Sequence, residues 1–306
     1  MKKLIKYTGC FLLPIMLVIV LIELFYRVVP TNYTFKHEAI LKNRDTIEVL
    51  TFGDSHAMYG INPKYISGHA FNLANLSQTV YFDELLFNKY VDRLTNLKSI
   101  IIPMEYTTMS QEDNTQEDVW RKYFYESQMD LKVPLIKWYD PKKYSLALSQ
   151  KLVRTVKALN IYRHNNTLVN CDQRGWGLGY NTAIDSIELK RLAPIISRKH
   201  NDNKIDISQN VGRIESIIKT CKTKNINVLL VNLPVTPSYY KLLNKEEVRS
   251  IISKSQEFNN TFDHVRHLDL LQDERFKQDD FHDADHLNKK GAQKCSIIIN
   301  EFLNND

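Results

Sequence analysis

The sequence predicts a three-layer α/β/α fold, in which helices cover both faces of a mostly parallel sheet. One observation supports this prediction. From residue 46 onward, short apolar runs typical of strands alternate with longer runs typical of helices. Such alternation is typical of a parallel sheet whose connecting helices lie on its faces. Ahead of this region, one long apolar run predicts a single transmembrane helix.

The N-terminal run Tyr7–Ile22 is almost purely apolar, follows three lysines, and can be extended to Val29. A membrane-spanning helix needs about 17–25 residues, so the run is long enough. Lysines before the run favour a cytoplasmic N-terminus. No small-x-small cleavage site follows, which argues against a cleaved signal peptide. We therefore predict a single-pass cell-membrane anchor over residues 1–30, a stalk over 31–45, and a domain at the periplasmic or cell-surface side.

The charge and the cysteines exclude other classes of function. The net charge is +6, and residues 1–27 contribute four positive charges and one negative charge, which leaves +3 for the remainder. So small a charge does not indicate a nucleic-acid partner. Cys171, Cys221 and Cys295 are widely spaced and form no C-x-x-C motif. They are compatible with one disulfide but not with a metal knuckle.

Within the domain at 46–306, the β-α-β rhythm is interrupted once. Strands are predicted at 47–52, 99–102, from Asn227 and from Val265, and helices at 82–94, 208–222, 245–258 and from Asn288. The stretch at about 104–207 lacks this rhythm and contains all three tryptophans, so we interpret it as an inserted, aromatic-rich cap. Its glycine-rich segment at 174–180 predicts a loop. Trp176 and Tyr180 in that loop are candidates to stack on a sugar, unless they merely form the core of the cap.

Two polar clusters lie where functional residues are expected. F-G-D-S-H, Phe52–His56, follows the first predicted strand, and a cluster at 279–292 precedes the last helix. Ligands of parallel sheets bind at the carboxyl ends of the strands. A serine nucleophile needs a histidine base that a carboxylate orients. The second cluster offers two overlapping Asp-x-x-His pairs, Asp279 with His282 and Asp283 with His286.

On these residues the chain resembles the SGNH, or GDSL-like, family of serine acyl hydrolases and acyltransferases. G-D-S at 53–55 is similar to the nucleophile block of the family, and D-A-D-H-L-N-K-K-G-A at 283–292 is similar to its terminal Asp-x-x-His block. The resemblance implies an SGNH/flavodoxin-like fold, with Ser55 as nucleophile, His286 as base and Asp283 as its orienting partner. It implies no metal and no organic cofactor.

Two other family blocks depart from the pattern. In F-N-L-A-N-L-S, residues 71–77, Ala74 stands where the family has its oxyanion-hole glycine, and the G-x-N-D block after the third strand is absent. The candidate oxyanion donors are therefore the backbone N–H groups of Ser55 and Ala74, with Asn75 as a substitute for the missing asparagine. The loss of one such donor costs about 3 kcal/mol of transition-state stabilisation.

The resemblance implies a membrane-anchored serine enzyme that adds or removes acyl groups, chiefly acetyl, on a cell-surface or exported polysaccharide. Transfer and hydrolysis share the same chemistry. Anchoring favours transfer, because similar anchored members receive acyl groups from a multipass membrane acyltransferase partner. The first alternative is a noncatalytic glycan-binding or assembly subunit with the same fold.

The second alternative is a metal-dependent phosphoesterase. Asp54-x-His56 matches the D-x-H motif of binuclear metallophosphoesterases, and residues 282–286 supply further histidine and aspartate ligands. Those enzymes also need G-D-x-x-D and G-N-H-[DE] motifs, and the sequence contains neither. The sequence therefore favours serine chemistry.

Overall fold

The computed structural model describes residues 1–111, 119–201 and 206–305. The chain divides into two compact units. The first, which we call the helical unit, comprises Met1–Glu38 and Asp118–Asn170. The second, the sheet unit, comprises Ala39–Glu117 and Cys171–Asp306.

The described residues form thirteen α-helices and five β-strands. The helices are α1 Lys2–Val28, α2 Asn32–Lys42, α3 Ser55–Gly60, α4 Val80–Tyr90, α5 Tyr106–Met109, α6 Arg121–Gln128, α7 Leu146–Ser149, α8 Leu152–Asn165, α9 Ser186–His200, α10 Ser208–Thr223, α11 Pro237–Tyr240, α12 Lys245–Thr261 and α13 Lys289–Asn304. The strands are β1 Val49–Thr51, β2 Ala70–Asn72, β3 Ser99–Pro103, β4 Asn227–Asn232 and β5 Val265–Asp269.

The five described strands form one parallel sheet in the order β2-β1-β3-β4-β5. This is the flavodoxin-like order. The chain proceeds from β1 outward to β2 and then crosses to β3 on the other side of β1, so the topological switch point lies between the carboxyl ends of β1 and β3. Strands β1 and β2 are buried along their whole length, which requires cover on both faces. Helix α3 packs on α13, and α4 packs on α10. The predicted α/β fold with a parallel sheet is confirmed.

The sequence explains why these elements form. The apolar runs of β3 and β4 are nearly continuous, as expected for strands that are buried on both faces. Asparagine side chains cap the two long helices that follow β4 and β5. Asn244 accepts hydrogen bonds from N–H groups at the start of α12, and Asn288 does the same for α13. Each predicted strand and helix outside the insertion is therefore present within a few residues of its expected bounds.

The helical unit differs from the predicted anchor and stalk in one respect. Helix α1 covers most of the predicted anchor and is long and apolar enough to cross a membrane. The residues predicted as a stalk, 31–45, contain a helix, because α2 occupies Asn32–Lys42. The end of α1 is also part of the fold. Tyr26 is only 4% exposed, and its hydroxyl donates a hydrogen bond to Thr155 Oγ1 over 3.1 Å.

The predicted cap at 104–207 is not one structural unit. Residues 118–170 belong to the helical unit, whereas 171–207 belong to the sheet unit. The glycine-rich loop explains the second assignment, because its backbone is bonded into the sheet unit. The Asn72 N–H donates to Arg174 O over 2.8 Å, and the Gly177 N–H donates to Met58 O over 2.8 Å.

The cysteines of the sheet unit play a packing role in this structure. Cys171, Cys221 and Cys295 are all buried, and none of the three forms a disulfide within the part of the chain that the structure describes. Burial raises the pKa of the Cys221 thiol to about 12, so this side chain is not a nucleophile at neutral pH.

Candidate active site

A sharp turn after β1 presents the candidate nucleophile. Gly53 has a φ of +114°, and a Cβ atom there would lie 2.8 Å from Pro103 Cγ, so only glycine fits. The Gly53 N–H donates to Asp83 Oδ1 over 3.1 Å, which fixes the turn from the side of α4. Asp54 caps α3, and Ser55 is its first residue. The serine therefore stands at the carboxyl edge of the sheet.

The loop before α13 brings the candidate base to this serine. His286 Nε2 lies 2.9 Å from Ser55 Oγ, and His286 Nδ1 lies 3.1 Å from both carboxylate oxygens of Asp283. Asp283 Oδ1 also accepts hydrogen bonds from the N–H groups of Asp285 and His286, over 3.1 and 2.8 Å. The carboxylate thus fixes both its own loop and the imidazole. The structure brings the three predicted residues together in hydrogen-bonding order.

The electrostatic surroundings of His286 favour the uptake of a proton. Burial alone would lower the pKa of His286. The negative charges of Asp285 and Asp283, and hydrogen bonds to their carboxylates, outweigh burial and raise the pKa well above its usual range. An imidazole that accepts a proton readily, at hydrogen-bonding distance from a hydroxyl, is suited to act as a general base.

A second histidine lies directly beneath the first. His56 Nδ1 is 3.0 Å from Asp54 Oδ2, and His56 Nε2 is 2.9 Å from Asp285 Oδ2. Both ring nitrogens therefore face carboxylates. Burial would lower the pKa of His56, but the charge of Asp54 and hydrogen bonds to Asp285 and Asp54 raise it well above its usual range, which favours the imidazolium that donates to both carboxylates. Its ring stacks on that of His286, with centroids 4.4 Å apart and planes inclined by 6°.

Asp285 connects the two imidazoles. Its Oδ1 atom lies 3.3 Å from His286 Nδ1, and its side chain is fully buried. Burial would raise the pKa of Asp285, yet the charge of His286, the hydrogen bond from His56 and the charge of His56 lower it well below its usual range. His200 Nδ1 lies 3.5 Å from Asp285 Oδ2 and 2.7 Å from the Tyr239 hydroxyl oxygen. Asp285 therefore stays ionised in a buried layer of histidines.

Residues 105–107 follow β3, where the family has its G-x-N-D block. Two of their side chains contact a buried carboxylate beneath the site or the backbone near it. The Thr107 hydroxyl donates to Asp54 Oδ2 over 2.9 Å. The Glu105 carboxylate accepts from the Leu233 N–H over 3.1 Å. Burial raises the pKa of Glu105 to about 7, with the His56 charge opposing and Asp54 adding to the effect. Residues 105–107 thus stabilise the buried charges and offer no asparagine to the site.

The candidate oxyanion donors differ in their availability. The Ala74 N–H already donates to Asn72 Oδ1 over 3.0 Å, so the expectation that it faces an oxyanion does not fit this structure. Asn72 is itself held by two bonds from its Nδ2 group to carbonyls at the end of α3. Asn75 lies beside the nucleophile turn, because its N–H donates to Gly53 O over 3.1 Å. Among the described residues, no hydrogen bond engages the Ser55 N–H or Asn75 Nδ2.

The two aromatic candidates for sugar binding, Trp176 and Tyr180, lie in different environments. Trp176 is 7% exposed, and its indole N–H donates to Tyr59 O over 2.8 Å. It therefore packs against α3, which fits the alternative of a packing role rather than that of stacking on a sugar. Tyr180 lies in a stack of rings, 3.8 Å from Tyr59 and 4.1 Å from His282 between centroids. This stack stands edge-on to His286, with the Tyr180 centroid 5.3 Å away.

The second Asp-x-x-His pair does not assemble. Asp279 is exposed and pairs with Lys290, whereas the His282 ring is taken up by the stack on Tyr180. His282 Nδ1 lies 3.2 Å from Thr182 O rather than near Ser55. The overlap in the sequence is thus resolved in favour of Asp283 and His286.

His56, Asp285 and His286 are also the described residues that come closest to a metal-binding group. A metal ion binds a histidine nitrogen in the plane of the ring. Because the two imidazole planes are parallel and stacked, an ion in the plane of one ring lies out of the plane of the other. The nitrogens that would be ligands are instead engaged with carboxylates and with Ser55.

Sequence reasoning missed the buried layer as a feature of serine chemistry. Asp54, His56 and Asp285 entered only as metal ligands, and His200 and Tyr239 not at all. The signal for the first three was present, since each directly adjoins a predicted catalytic residue in the chain. The pairing of His56 with Asp285, however, joins residues 229 positions apart, which no local pattern reports.

Comparisons with known proteins give similarity in fold. One family model, which carries no functional description, matches residues 184–306. No curated protein matches the chain significantly. Similar solved structures include a proposed acylhydrolase from Bacteroides fragilis NCTC 9343, at 12% identity and a TM-score of 0.39, with 84% of this chain and 86% of that chain covered.

Two further structures show the same level of similarity. A proposed platelet activating factor from Streptococcus pneumonia has 11% identity and a TM-score of 0.42, with 88% and 91% of the two chains covered. A GDSL-like lipase from Bacteroides thetaiotaomicron VPI-5482 has 10% identity and a TM-score of 0.38, with 86% and 89% covered. Because these identities and TM-scores are low, the description of the site rests only on the geometry of this chain.

Proposed function

We propose that the chain is a membrane-anchored serine enzyme that transfers or removes acyl groups, chiefly acetyl, on a cell-surface or exported polysaccharide. One observation carries the proposal. Ser55 Oγ, His286 and Asp283 form a continuous hydrogen-bonded series at the carboxyl edge of the parallel sheet. Such a series is the arrangement that activates a serine hydroxyl for attack on a carbonyl carbon.

The proposed reaction has two halves. Ser55 Oγ attacks the acyl carbonyl while His286 Nε2 accepts the hydroxyl proton, and the developing oxyanion is held by the Ser55 N–H and by Asn75 Nδ2. His286 then returns the proton to the leaving oxygen, which leaves an acyl-serine ester. In the second half, His286 deprotonates water or a sugar hydroxyl, which attacks that ester, and His286 then returns the proton to Ser55 Oγ as the bond from Ser55 to the acyl group breaks. Water gives hydrolysis, and a sugar hydroxyl gives transfer.

The structure of the helical unit supports a retained anchor rather than a cleaved signal peptide. Besides Tyr26, Glu23 near the end of α1 is integrated into this unit, because its Oε2 accepts bonds from Ser145 Oγ and the Ala147 N–H, each over 2.9 Å. Cleavage after the apolar run would remove these contacts. We propose a cytoplasmic N-terminus, a sheet unit outside the cytoplasm, and a multipass membrane acyltransferase as the donor of acyl groups.

A noncatalytic glycan-binding or assembly subunit is the second candidate. It is favoured by the engaged Ala74 N–H, which leaves fewer oxyanion donors than the family pattern would supply. The two candidates differ in one measurable property, since only the enzyme forms a covalent acyl-serine.

The test is to incubate the full-length protein in detergent with an activated acetyl ester, quench the reaction with acid and map the acetyl adduct by mass spectrometry. We expect acetyl on Ser55, and none on this peptide in Ser55→Ala. A serine-directed fluorophosphonate should label the same residue. If the folded wild-type protein gains neither adduct, the noncatalytic candidate replaces the enzyme.

A further inference from the structure

We propose that the helical unit carries a membrane-facing surface, formed by Trp138, Tyr139, Tyr144 and the exposed side of α7 and α8, that lies in the headgroup layer of a lipid bilayer. This inference requires that α1 is a retained membrane helix, and it is independent of the chemistry at Ser55.

The position of this surface follows from its attachment to α1. The twenty residues from Leu4 to Glu23 rise about 30 Å at 1.5 Å per residue, which matches the hydrocarbon thickness of a bilayer. Glu23 therefore lies at the boundary with the headgroups. The segment that starts at Tyr144 is bonded to this level, because Glu23 accepts from Ser145 and Arg27 Nη2 donates to Tyr144 O over 3.3 Å.

The composition of the surface fits an interface between lipid and water. Trp138 is 77% exposed, and the Tyr144 hydroxyl donates to Trp138 O over 2.7 Å, which holds the two aromatic residues together. Tyr139 is exposed beside them. Tryptophan and tyrosine are enriched at the headgroup level because their rings are apolar at one end and polar at the other.

Apolar and basic side chains continue the surface beyond the aromatic residues. Leu152 and Val153, at the start of α8, are 70% and 81% exposed. The same part of the chain carries exposed lysines at positions 137, 142, 151 and 157. Residues 137–157 contain one acidic residue, Asp140. Exposed apolar groups among positive charges match the acyl boundary and the anionic headgroups of a bilayer.

The experiment measures Trp138 fluorescence in the full-length protein reconstituted into vesicles that contain lipids brominated near the top of the acyl chain. We expect bromolipid to quench wild type strongly and to quench Trp138→Phe less, because the Trp138 contribution is missing. Trp176→Phe is the matched control, since Trp176 is buried in the sheet unit. This variant still contains Trp138, so bromolipid should quench its fluorescence as strongly as in wild type. A double substitution, Lys142→Glu with Lys151→Glu, should reduce the quenching in anionic vesicles.

Two outcomes overturn the proposal. In the first, acrylamide in the water quenches the Trp138 contribution while bromolipid does not, so the surface faces solvent. In the second, Trp138 is shielded from acrylamide in native membranes but not in pure lipid vesicles, so a membrane protein rather than lipid covers the surface.

A separate observation supports a second proposal, which rests on the proposed function. We infer that Asp285 and His56 are positioning residues that set the orientation and basicity of His286. Asp285 lies against both imidazoles, and His56 stacks under His286. Among the described residues, neither the Asp285 nor the His56 side chain is hydrogen-bonded to Ser55 Oγ, so both would act through His286.

The charges around His286 give the two residues opposite effects. The groups that face His286 or the layer beneath it are Asp283 and Asp285 of its own loop, Asp54 and His56 at the start of α3, Tyr59, Tyr180, Glu105, His200 of α9 and Tyr239 of α11. The carboxylate of Asp285 stabilises protonated His286, whereas the imidazolium of His56 destabilises it. Removal of the first charge should lower the pKa of His286, and removal of the second should raise it.

The test is the pH dependence of acetyl-Ser55 formation in full-length variants. Activity requires unprotonated His286, so it rises with pH through the pKa of His286. The midpoint should move to lower pH in Asp285→Asn and to higher pH in His56→Gln, with at least a tenfold loss at the plateau in each. Thermal melting of each variant establishes that it is folded, and Asp285→Asn, which is isosteric, is the safer of the two.

The outcomes distinguish this inference from the proposed function. If Ser55→Ala is inactive but both variants keep the wild-type midpoint and plateau, the positioning roles are wrong while the serine mechanism stands. If acetyl-Ser55 does not form in wild type, the proposed function itself fails.

Discussion

The imidazole rings of His56 and His286 lie parallel and stacked, with their centroids 4.4 Å apart. Each ring is held by carboxylates in its own plane, His56 by Asp54 and Asp285, and His286 by Asp283. One ring reaches Ser55 and the other does not. The imidazole that contacts Ser55 therefore stacks on a second, buried imidazole that lies between two carboxylates.

The first prediction concerns metal ions. Because the stacked rings cannot direct in-plane lone pairs at one ion, acetyl transfer to Ser55 should proceed unchanged after exhaustive treatment with a chelator. The rate of adduct formation before and after chelation is the measurement. A rate that is abolished by chelator and restored by zinc or manganese would favour the phosphoesterase alternative.

The second prediction separates the two overlapping Asp-x-x-His pairs. Ser55→Ala and His286→Ala should each abolish nearly all activity, and the double variant should lose little more, because the two residues act as one unit. His282→Ala is the matched control and should retain most activity, since its ring stacks on Tyr180 away from Ser55. Ester turnover by each folded variant is the readout. An inactive His282→Ala beside an active His286→Ala would contradict the assignment.

The third prediction concerns Asp283. Asp283→Asn keeps the shape of the side chain but favours the wrong imidazole tautomer, with a loss of kcat on the order of 10⁴ where the orienting carboxylate is as important as in serine proteases. Here Asp285 lies 3.3 Å from the same nitrogen and can take over in part, so we expect a smaller loss. In the double variant Asp283→Asn/Asp285→Asn, neither carboxylate remains, so kcat should fall by the full amount. Equal losses in the single and the double variant would exclude a shared role.

The fourth prediction concerns stability. Gly53→Ala should destabilise the fold by about 1–3 kcal/mol from backbone strain, because the φ of +114° is unfavourable for alanine. The new Cβ would also approach Pro103 Cγ to 2.8 Å. Thermal unfolding measures the effect, and Gly212→Ala is the control, since nothing lies within 4 Å of a Cβ there. A Gly53→Ala protein that melts with the wild type would refute the strained turn.

The fifth prediction concerns topology. Alkaline phosphatase fused after residue 306 should be active, because the lysines before the apolar run favour a cytoplasmic N-terminus. A cytoplasmic fluorescent reporter at the same place should remain dark. The reverse pattern would place the sheet unit in the cytoplasm and contradict the proposed compartment.

The sequence predicted the sheet well because its signals are local. The apolar runs of β3 and β4 are too continuous for a strand with one exposed face, and Asn288 marks the start of α13 within the chain. The same holds for the pair Asp283 and His286, which a single turn of backbone joins.

What the sequence did not predict depends on contacts between distant segments. Residues 118–170 assemble with the N-terminus, and the rings of Tyr26 and Phe124 illustrate why, since they meet edge to face at 5.5 Å. Trp176 was a candidate to stack on a sugar because it lies in a glycine-rich loop. The loop backbone instead bonds to α3 and buries the indole.

Ser55 and His286 are separated by 231 positions, and the contacts of α3 with α13 close this distance. A chain still emerging during synthesis therefore carries the serine without its base. At about 5–20 residues per second, that interval lasts about 10–50 s. Under the proposed mechanism, Ser55 becomes reactive only after the C-terminal helix has been made and has packed on α3, so a prematurely terminated chain would lack the base. For the proposed exported enzyme, the order of the two blocks along the polypeptide would therefore delay activity until synthesis of the chain is complete.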